Sequence, residues 1–316
     1  MNPEHLSEAL REKVKPKFKG RRTLKARAAL HCPESAMREY MRVTNAYMTL
    51  FNKTLAAHLP KIRRAIDAER EAMRHDSAYD VLGMTRREFD LIVSEFAAKA
   101  RKFGLDDKLQ KIADRTVKMS VSEWKRVVHQ TLGVNILDDY YLGGFFRDNL
   151  TSWVKGNVSL IKSIPQDMLM RVEGIIEQGY LNGMSNTAIG RQIQGVYGTE
   201  RKRAQFIARD QVASLSAGIT KKQHEDAGVD SYIWSASRDA RVRDCHNDFD
   251  GKQYKWSEPP EDYYETKSRG RVYTGSRYNP GEGIGCRCVA LPVFDIEGVS
   301  MPWQDDKDGG YEQGNN

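Results

Sequence analysis

The side chains with most chemistry to offer crowd into one stretch, Asp239-Ala240-Arg241-Val242-Arg243-Asp244-Cys245-His246-Asn247-Asp248-Phe249-Asp250-Gly251, with Cys286-Arg287-Cys288 further along the chain. Cys245, His246, Cys286 and Cys288 are the residue types of a tetrahedral zinc centre. Adjacent Cys245 and His246 are awkward as joint ligands, and Cys-x-Cys is tighter than the common Cys-x-x-Cys knuckle. The set that fits sterically is His246, Cys286 and Cys288 with one ligand from elsewhere. Buried free thiols are the plainer use of the same cysteines. A Cys286–Cys288 disulfide is disfavoured, because on an extended strand the two Cα atoms stand about 6.5–7 Å apart. A calcium loop starting at His246 would put Asp248, Asp250 and Gly251 at its third, fifth and sixth positions. His at the first position and Ser257 at the twelfth are poor ligands for so hard a cation.

Catalysis would make His246 a general base beside Asp239, Asp244 or Asp248. No nucleophile motif accompanies it: the sequence has no Walker-type glycine loop, no His-Glu-x-x-His and no Gly-x-Ser-x-Gly. The form left open is hydrolysis of nucleic acid by a metal-bound water, but the expectation is a protein that is not an enzyme and needs no cofactor, a structural zinc being the alternative to free thiols. In the structural alternative, Asp239 and Asp250 accept hydrogen bonds from turn amides and Arg241 or Arg243 clamps a carboxylate. Trp234, Trp256 and Tyr273 then supply a small core.

The elements that must position these groups change character at Gly228. Before it the pattern is helical. Cys32-Pro33-Glu34 reads as a helix start, with Met37, Met41, Met48, Phe51 and Leu55 on one stripe and Pro60 as its end. Residues 61–75 read as a shorter charged helix. Thr85-x-x-Glu88 and Ser120-x-x-Glu123 read as capping boxes opening two more, with Gly104 and Gly133 as stops. Pro165 begins another, a short one runs from Asn186 to Tyr197, and Thr199 caps a long one that Gly228 closes. After Gly228, Ser231-Tyr232-Ile233-Trp234-Ser235 reads as a strand and turn formers dominate 237–285. Short strands are predicted at 252–256 and 271–273, and a last one at 286–294, where alternation puts Cys286 and Cys288 on one face. The predicted fold is mainly α: a large helical N-terminal body with a small α+β C-terminal module. Its divisions are a basic, flexible arm at 1–30, a helical domain at 31–164, the module at 165–300 and a flexible tail at 301–316.

The 316 residues carry a formal charge of +7, with 40% hydrophobic and 29% charged residues, enough apolar material for a real core. No run approaches the ~18 apolar residues of a membrane span, and Met1-Asn2-Pro3-Glu4-His5 lacks an apolar signal core. Four cysteines are too few for a disulfide framework and suit a reducing compartment. The charge is concentrated: residues 1–30 hold nine cations against three anions, a net of +6. Lys13, Lys15, Lys17 and Lys19 recur at every second position, interrupted by Pro16 and Gly20, so the segment reads as extended or mobile. With Arg21, Arg22, Lys25 and Arg27 it is a candidate polyanion-binding arm, since lysines gain affinity by releasing counterions from phosphates. A solvated leader is the blander alternative.

The order Gly228-Val229, Tyr232-x-Trp234, Asp239-x-Arg241-Val242-Arg243-x-x-His246, Asp250-Gly251, Asn279-Pro280-Gly281, Gly285-Cys286-Arg287-Cys288 and Pro292-Val293 resembles the C-terminal module of the phage Mu F-like minor head proteins. The preceding Arg203-Ala204 and Ile207-Ala208-Arg209-Asp210-Gln211 resemble that family's approach helix, where Glu is usual at Asp210 or Gln211. The resemblance covers roughly residues 165–295. It implies a low-copy phage capsid component in the virion, at the capsid interior or portal vertex, and in the host cytoplasm during assembly. Its partners would be the portal protein, the major capsid or scaffolding protein, and phage DNA during packaging or ejection. It supplies no catalytic residues; Trp234, Asp239, Arg241, Arg243, His246, Asp250, Gly251, Cys286, Arg287 and Cys288 are its signature positions. The stretch 252–279, rich in Tyr and Arg, reads as a contact loop. The other possibilities are a metal-dependent nuclease of mobile-element origin and a nucleic-acid-binding module with no virion role.

Overall fold

The computed structural model describes residues 3–26, 31, 33–75, 83–137, 144–239 and 241–304. It is mainly α, with a small sheet-containing region towards the C-terminus. The segment expected to be a flexible arm is instead helix α1 (Pro3–Phe18) followed by strand β1 (Thr23–Lys25). Leu10, Val14 and Phe18, at a spacing of four, are all buried, and the lysines between them are exposed. The every-second-residue lysine pattern hid a narrow apolar stripe, and such a stripe suffices when another surface packs on it. Pro16 sits in the last turn, and Gly20 turns the chain with a φ of 74°. Arg27 lies outside the described residues.

Helix α2 (Glu34–His75) runs through Pro60, which was expected to end it. Pro60 is exposed, so the carbonyl four residues back loses its donor on the side open to solvent, where the loss costs least. Helix α3 (Gly83–Phe103) is capped from outside itself. The buried Glu69 carboxylate accepts the Met84 and Thr85 amides (2.7 and 3.1 Å) and the Thr85 hydroxyl (2.7 Å). Glu88, the expected partner of Thr85, faces His58 instead. Helix α4 (Leu105–Leu132) passes straight through the second expected capping box, and Glu123 there accepts from His31. Strand β2 (Asn135–Ile136) follows the stop at Gly133. Helices α5 (Gly144–Leu181) and α6 (Asn186–Asp226) run uninterrupted through Pro165 and Thr199. Thr199 does not cap; its hydroxyl donates back to the Gly195 carbonyl within the helix.

Strand β3 (Ser231–Ser235), the short helix α7 (Asp244–Phe249) and strands β4 (Gln253–Lys255), β5 (Glu261–Thr266), β6 (Gly270–Arg277), β7 (Val289–Asp295) and β8 (Trp303–Gln304) complete the chain. The main sheet has the antiparallel order β1-β7-β3-β4, so the N-terminal strand forms its edge on β7. β5 and β6 form a separate hairpin, and β2 pairs with β8. Residues 301–304 are therefore held in place, against the expectation of a loose tail there: Met301 is buried and Trp303 pairs with Ile136. Residues 305–316 lie outside the described part. Among the described residues no helix is long and apolar enough to cross a membrane.

Contacts partition the chain otherwise than at the linear boundary 164/165. One unit gathers residues 1–37, 113–150 and 210–316; the other gathers 38–112 and 151–209. Among its described residues the second has helices and no strand, its core built from Met48, Phe51, Leu55, Ile92, Met168 and Val172 among others. In the first, Tyr232, Trp234, Phe249, Trp256, Tyr263 and Ala290 share a core with three cysteines. Tyr273, expected in that core, is 59% exposed; Tyr263 takes its place on the opposite strand of the hairpin. Burying the Trp234 indole withdraws on the order of 200 Å² and contributes about 4–5 kcal/mol as an upper bound.

Candidate functional site

The site forms where α7 meets the segment leading into β7. Strand alternation on β3 sends Tyr232 and Trp234 inward, both fully buried. Asp250 and Gly251 then close α7 back onto that strand. The Asp250 carboxylate accepts the Ala236 amide (2.9 Å) and Arg238 Nε (3.1 Å), and the Gly251 amide donates to the Trp234 carbonyl (2.8 Å). Gly251 has a φ of 76°, which a side chain would resist. Asp239 does the same at the other end of the loop. It accepts the Arg241 amide (2.9 Å) and Arg287 Nη2 (2.6 Å), and these bonds hold its carboxyl below the usual range. Arg241 itself is exposed and only loosely paired with Asp239 (3.7 Å); of the two arginines expected to hold a carboxylate it is Arg243 that does, on Asp262, while Arg287 and Arg238 hold Asp239 and Asp250.

α7 is a single turn and a half, and it points Cys245, His246 and Phe249 into the core. His246 Nδ1 lies 3.6 Å from both Cys286 Sγ and Cys288 Sγ. Its other nitrogen, Nε2, lies 3.3 Å from Asp262 Oδ1, and Asp262 is in turn held by Arg243 Nη1 at 3.3 Å. Arg243 also donates to the Ile284 carbonyl (2.8 Å), which ties α7 to the cysteine loop. The Trp234 ring covers the imidazole, centroids 5.0 Å apart. The cysteines precede β7 instead of standing within it, but their one-residue spacing still turns both sulfurs the same way. The loop that presents them is fixed at three points. Asn279 is buried between the Tyr232 hydroxyl (3.0 Å) and Glu282. Gly281 packs so closely on α6 that an added Cβ would sit 2.7 Å from that of Ala217. The Gly285 amide donates to Asp210 Oδ1 of α6 at 2.6 Å.

Of the residues expected to matter, His246, Cys286 and Cys288 come together, with Trp234 and Arg243 against them. Cys245 sits on the Nε2 side, beside Asp262 (3.9 Å). Asp244 and Asp248 are not partners of His246: Asp248 accepts from the Tyr263 hydroxyl and from Arg271. Asp262 was missed. It lies within the stretch assigned to a contact loop, and nothing in its spacing from His246 marks it; only the rule that a buried imidazole needs a partner at each nitrogen points to such a carboxylate.

Two chemistries suit this arrangement. A thiol, an imidazole and a carboxylate in file are the parts of a nucleophilic triad. That use requires room for a substrate, yet Cys286, Cys288 and His246 are each at most 5% exposed. The cavity bordering the cysteines measures about 20 Å³, enough for one water. Small-molecule sites run to several hundred Å³. The other use is ligation of a soft or borderline metal by two sulfurs and a nitrogen. His246 with Cys286 and Cys288, and His246 with Cys245 and Asp262, are both groups whose donor atoms lie within 4.8 Å of one another. Cys286 is the sulfur that carries negative charge more readily, because the Cys288 S–H donates to it and His246 lies beside it. The same sharing pushes Cys288 the other way.

Residues 170–291 match the family described as Phage Mu protein F like protein, a span that takes in the whole site. An uncharacterized protein of Haemophilus influenzae strain Rd is 36% identical over 148 residues, which are 47% of this chain and 30% of that protein. The chain thus spans under a third of the length of that relative. No solved structure matches.

Proposed function

Since residues 170–291 are a Mu F-like segment, we propose that this protein takes part in phage head morphogenesis as a minor capsid component. It acts by binding and not by turnover. The observation that carries this reading is the match over the module itself. The internal use of its signature side chains supports it: Asp239, Asp250, Arg243 and His246 spend their polar atoms on turn amides, on each other's loops and on Asp262. The portal protein and the major capsid or scaffolding protein are the partners, met in part by the β5–β6 hairpin. On that hairpin Tyr264 and Tyr273 stand 54% and 59% exposed, on strands that also carry the exposed Arg271 and Arg277. Exposed tyrosine and arginine are the side chains enriched where proteins anchor to each other. DNA is met by the basic residues of α1 and β1.

Quantitative mass spectrometry of purified particles and empty shells tests the assignment. The protein is expected in one or both, far below the stoichiometry of the major capsid subunit. Absence from both overturns the assignment. Against the hydrolase alternative stands the burial of His246, which is 3% exposed; DNA cleavage that depends on a divalent metal and stops in His246→Ala would reinstate it.

A further inference from the structure

We propose that His246 Nδ1, Cys286 Sγ and Cys288 Sγ are the ligands of a zinc ion that joins α7 to the loop before β7. Four observations converge on it, none of which depends on a role in the phage head. The first is distance. A nitrogen at ~2.05 Å and a sulfur at ~2.3 Å from one tetrahedral zinc stand ~3.6 Å apart, and both sulfurs lie 3.6 Å from the imidazole nitrogen.

The second is the far side of the imidazole. A ligating histidine almost always gives its remaining N–H to a carboxylate, a backbone carbonyl or a water, which fixes the tautomer. Here Nε2 faces Asp262 Oδ1, and Arg243 steadies that carboxylate. The third is the surroundings of the sulfurs. The Gly281 amide donates to Cys286 Sγ at 3.4 Å. An N–H donor of this kind stabilises the thiolate that a metal binds. The fourth is room. The cavity beside the sulfurs, lined by Cys286, Cys288, Ser216 and Thr220 among others, measures about 20 Å³ and leaves space for one water but not for a larger ligand.

Two sulfurs and a nitrogen in a buried, apolar setting select zinc over the hard cations, which take oxygen ligands. Binding releases the two thiol protons to solvent. His246 enters neutral, its proton on Nε2 towards Asp262. The consequence is mechanical: the metal ties residues 40 positions apart in sequence, in a region held otherwise by short strands and turns.

The test uses the full chain. Elemental analysis of protein purified without chelator should give about one zinc per chain. Titrating the stripped protein with Co²⁺ should give the visible bands of a tetrahedral centre and a thiolate charge-transfer band that saturate at one equivalent. Cys286→Ser and Cys288→Ser should each weaken that band, and Cys245→Ser should leave it intact. Asp262→Asn should keep the spectrum while lowering zinc affinity about 10–100-fold, as loss of an outer partner does. Wild-type protein that binds neither metal overturns the proposal whatever the variants do. A spectrum abolished by Cys245→Ser overturns the ligand set.

Discussion

His224 is a buried imidazole packed between Trp124 and Trp256, ring centroids 5.1 and 5.4 Å away, with no hydrogen-bond partner at either nitrogen. Burial holds its pKa down at about 3, against 6.5 for the free side chain. The native state therefore refuses a proton that the unfolded chain accepts. Stability is full above about pH 6.5 and falls as the pH drops towards 3, by about 1.4 kcal/mol for each pH unit in that window. His224→Phe keeps the ring contacts and removes the proton acceptor. Denaturant titrations at pH 7 and pH 4.5 should show the variant close to wild type at neutral pH and clearly more stable than wild type in acid. A pH dependence identical to wild type would show that the imidazole is hydrated in the native state. The contrast with His246 is instructive about what a sequence exposes. His246 stood out because acids and a cysteine crowd around it in the chain. The carboxylate that serves it, Asp262, comes from strand β5, and His224, in the last turn of α6, has no motif around it in the chain. Burial and tertiary partnership distinguish the three, and neither has a local signature.

At the scale of elements, the N-terminal lysines and the apolar stripe beneath them have separable jobs. Phe18 is 1% exposed and lies on the same face as Leu10 and Val14. Truncating it to alanine should cost about 3–5 kcal/mol in a denaturant titration, as for other core aromatics. Lys17, Lys19, Arg21 and Lys25 instead border an open cavity of about 520 Å³ together with Gln130 and Thr131. Arg22 is already engaged with Asp295 and Glu297. Changing those four bordering cations to glutamine should leave the melting temperature nearly unchanged and weaken binding to duplex DNA. The slope of log K against log salt should shrink by about 0.9 for each phosphate that is no longer neutralised. Equal affinity and an equal slope would remove DNA from the partners. Deleting residues 1–30 would confound the two jobs, because it strips both the core stripe and an edge strand. The misreading of this segment, and of Pro60, Pro165 and the two capping boxes, has one origin. A cap is worth about 1 kcal/mol and a proline inside a helix costs about 3 kcal/mol, and a packed face outweighs either. Where the stop is a property of the residue itself, a glycine at positive φ as at Gly104, Gly133 and Gly228, the expected boundary and the observed one coincide.

At the scale of the whole molecule, the mainly helical class and the change at Gly228 were legible, because long amphipathic periods and clustered turn residues are properties of composition. The threading was not legible. The unit that contains the site takes its residues from three separate stretches, 1–37, 113–150 and 210–316. Within it β1 closes the edge of the sheet on β7, with Leu24 opposite Phe294, and the Phe294 ring stacks on Trp124 of α4 at 6.0 Å. Gly228 shows how tightly the parts interlock. A Cβ there would lie 2.0 Å from the Gly298 carbonyl oxygen, so the end of α6 and the turn after β7 meet backbone to backbone. A fragment beginning at residue 165, where the module begins in the sequence, therefore leaves Phe294 without its stacking partner and β7 with an unpaired edge. Expressed alone, that fragment should lack the near-UV dichroism of the full chain, bind a hydrophobic dye, and melt without a cooperative transition. A cooperative melt with native-like aromatic dichroism would mean that β3, β4 and β7 suffice to hold Trp234 and the cysteine–histidine cluster, and that the N-terminal stretches are accessory to the site. The zinc proposal sharpens the expectation, since a metal joining α7 to the loop before β7 acts within residues 246–288 and cannot replace the missing edge. Adding zinc to the fragment should therefore leave it uncooperative, whereas adding zinc to the stripped full chain should raise its melting temperature.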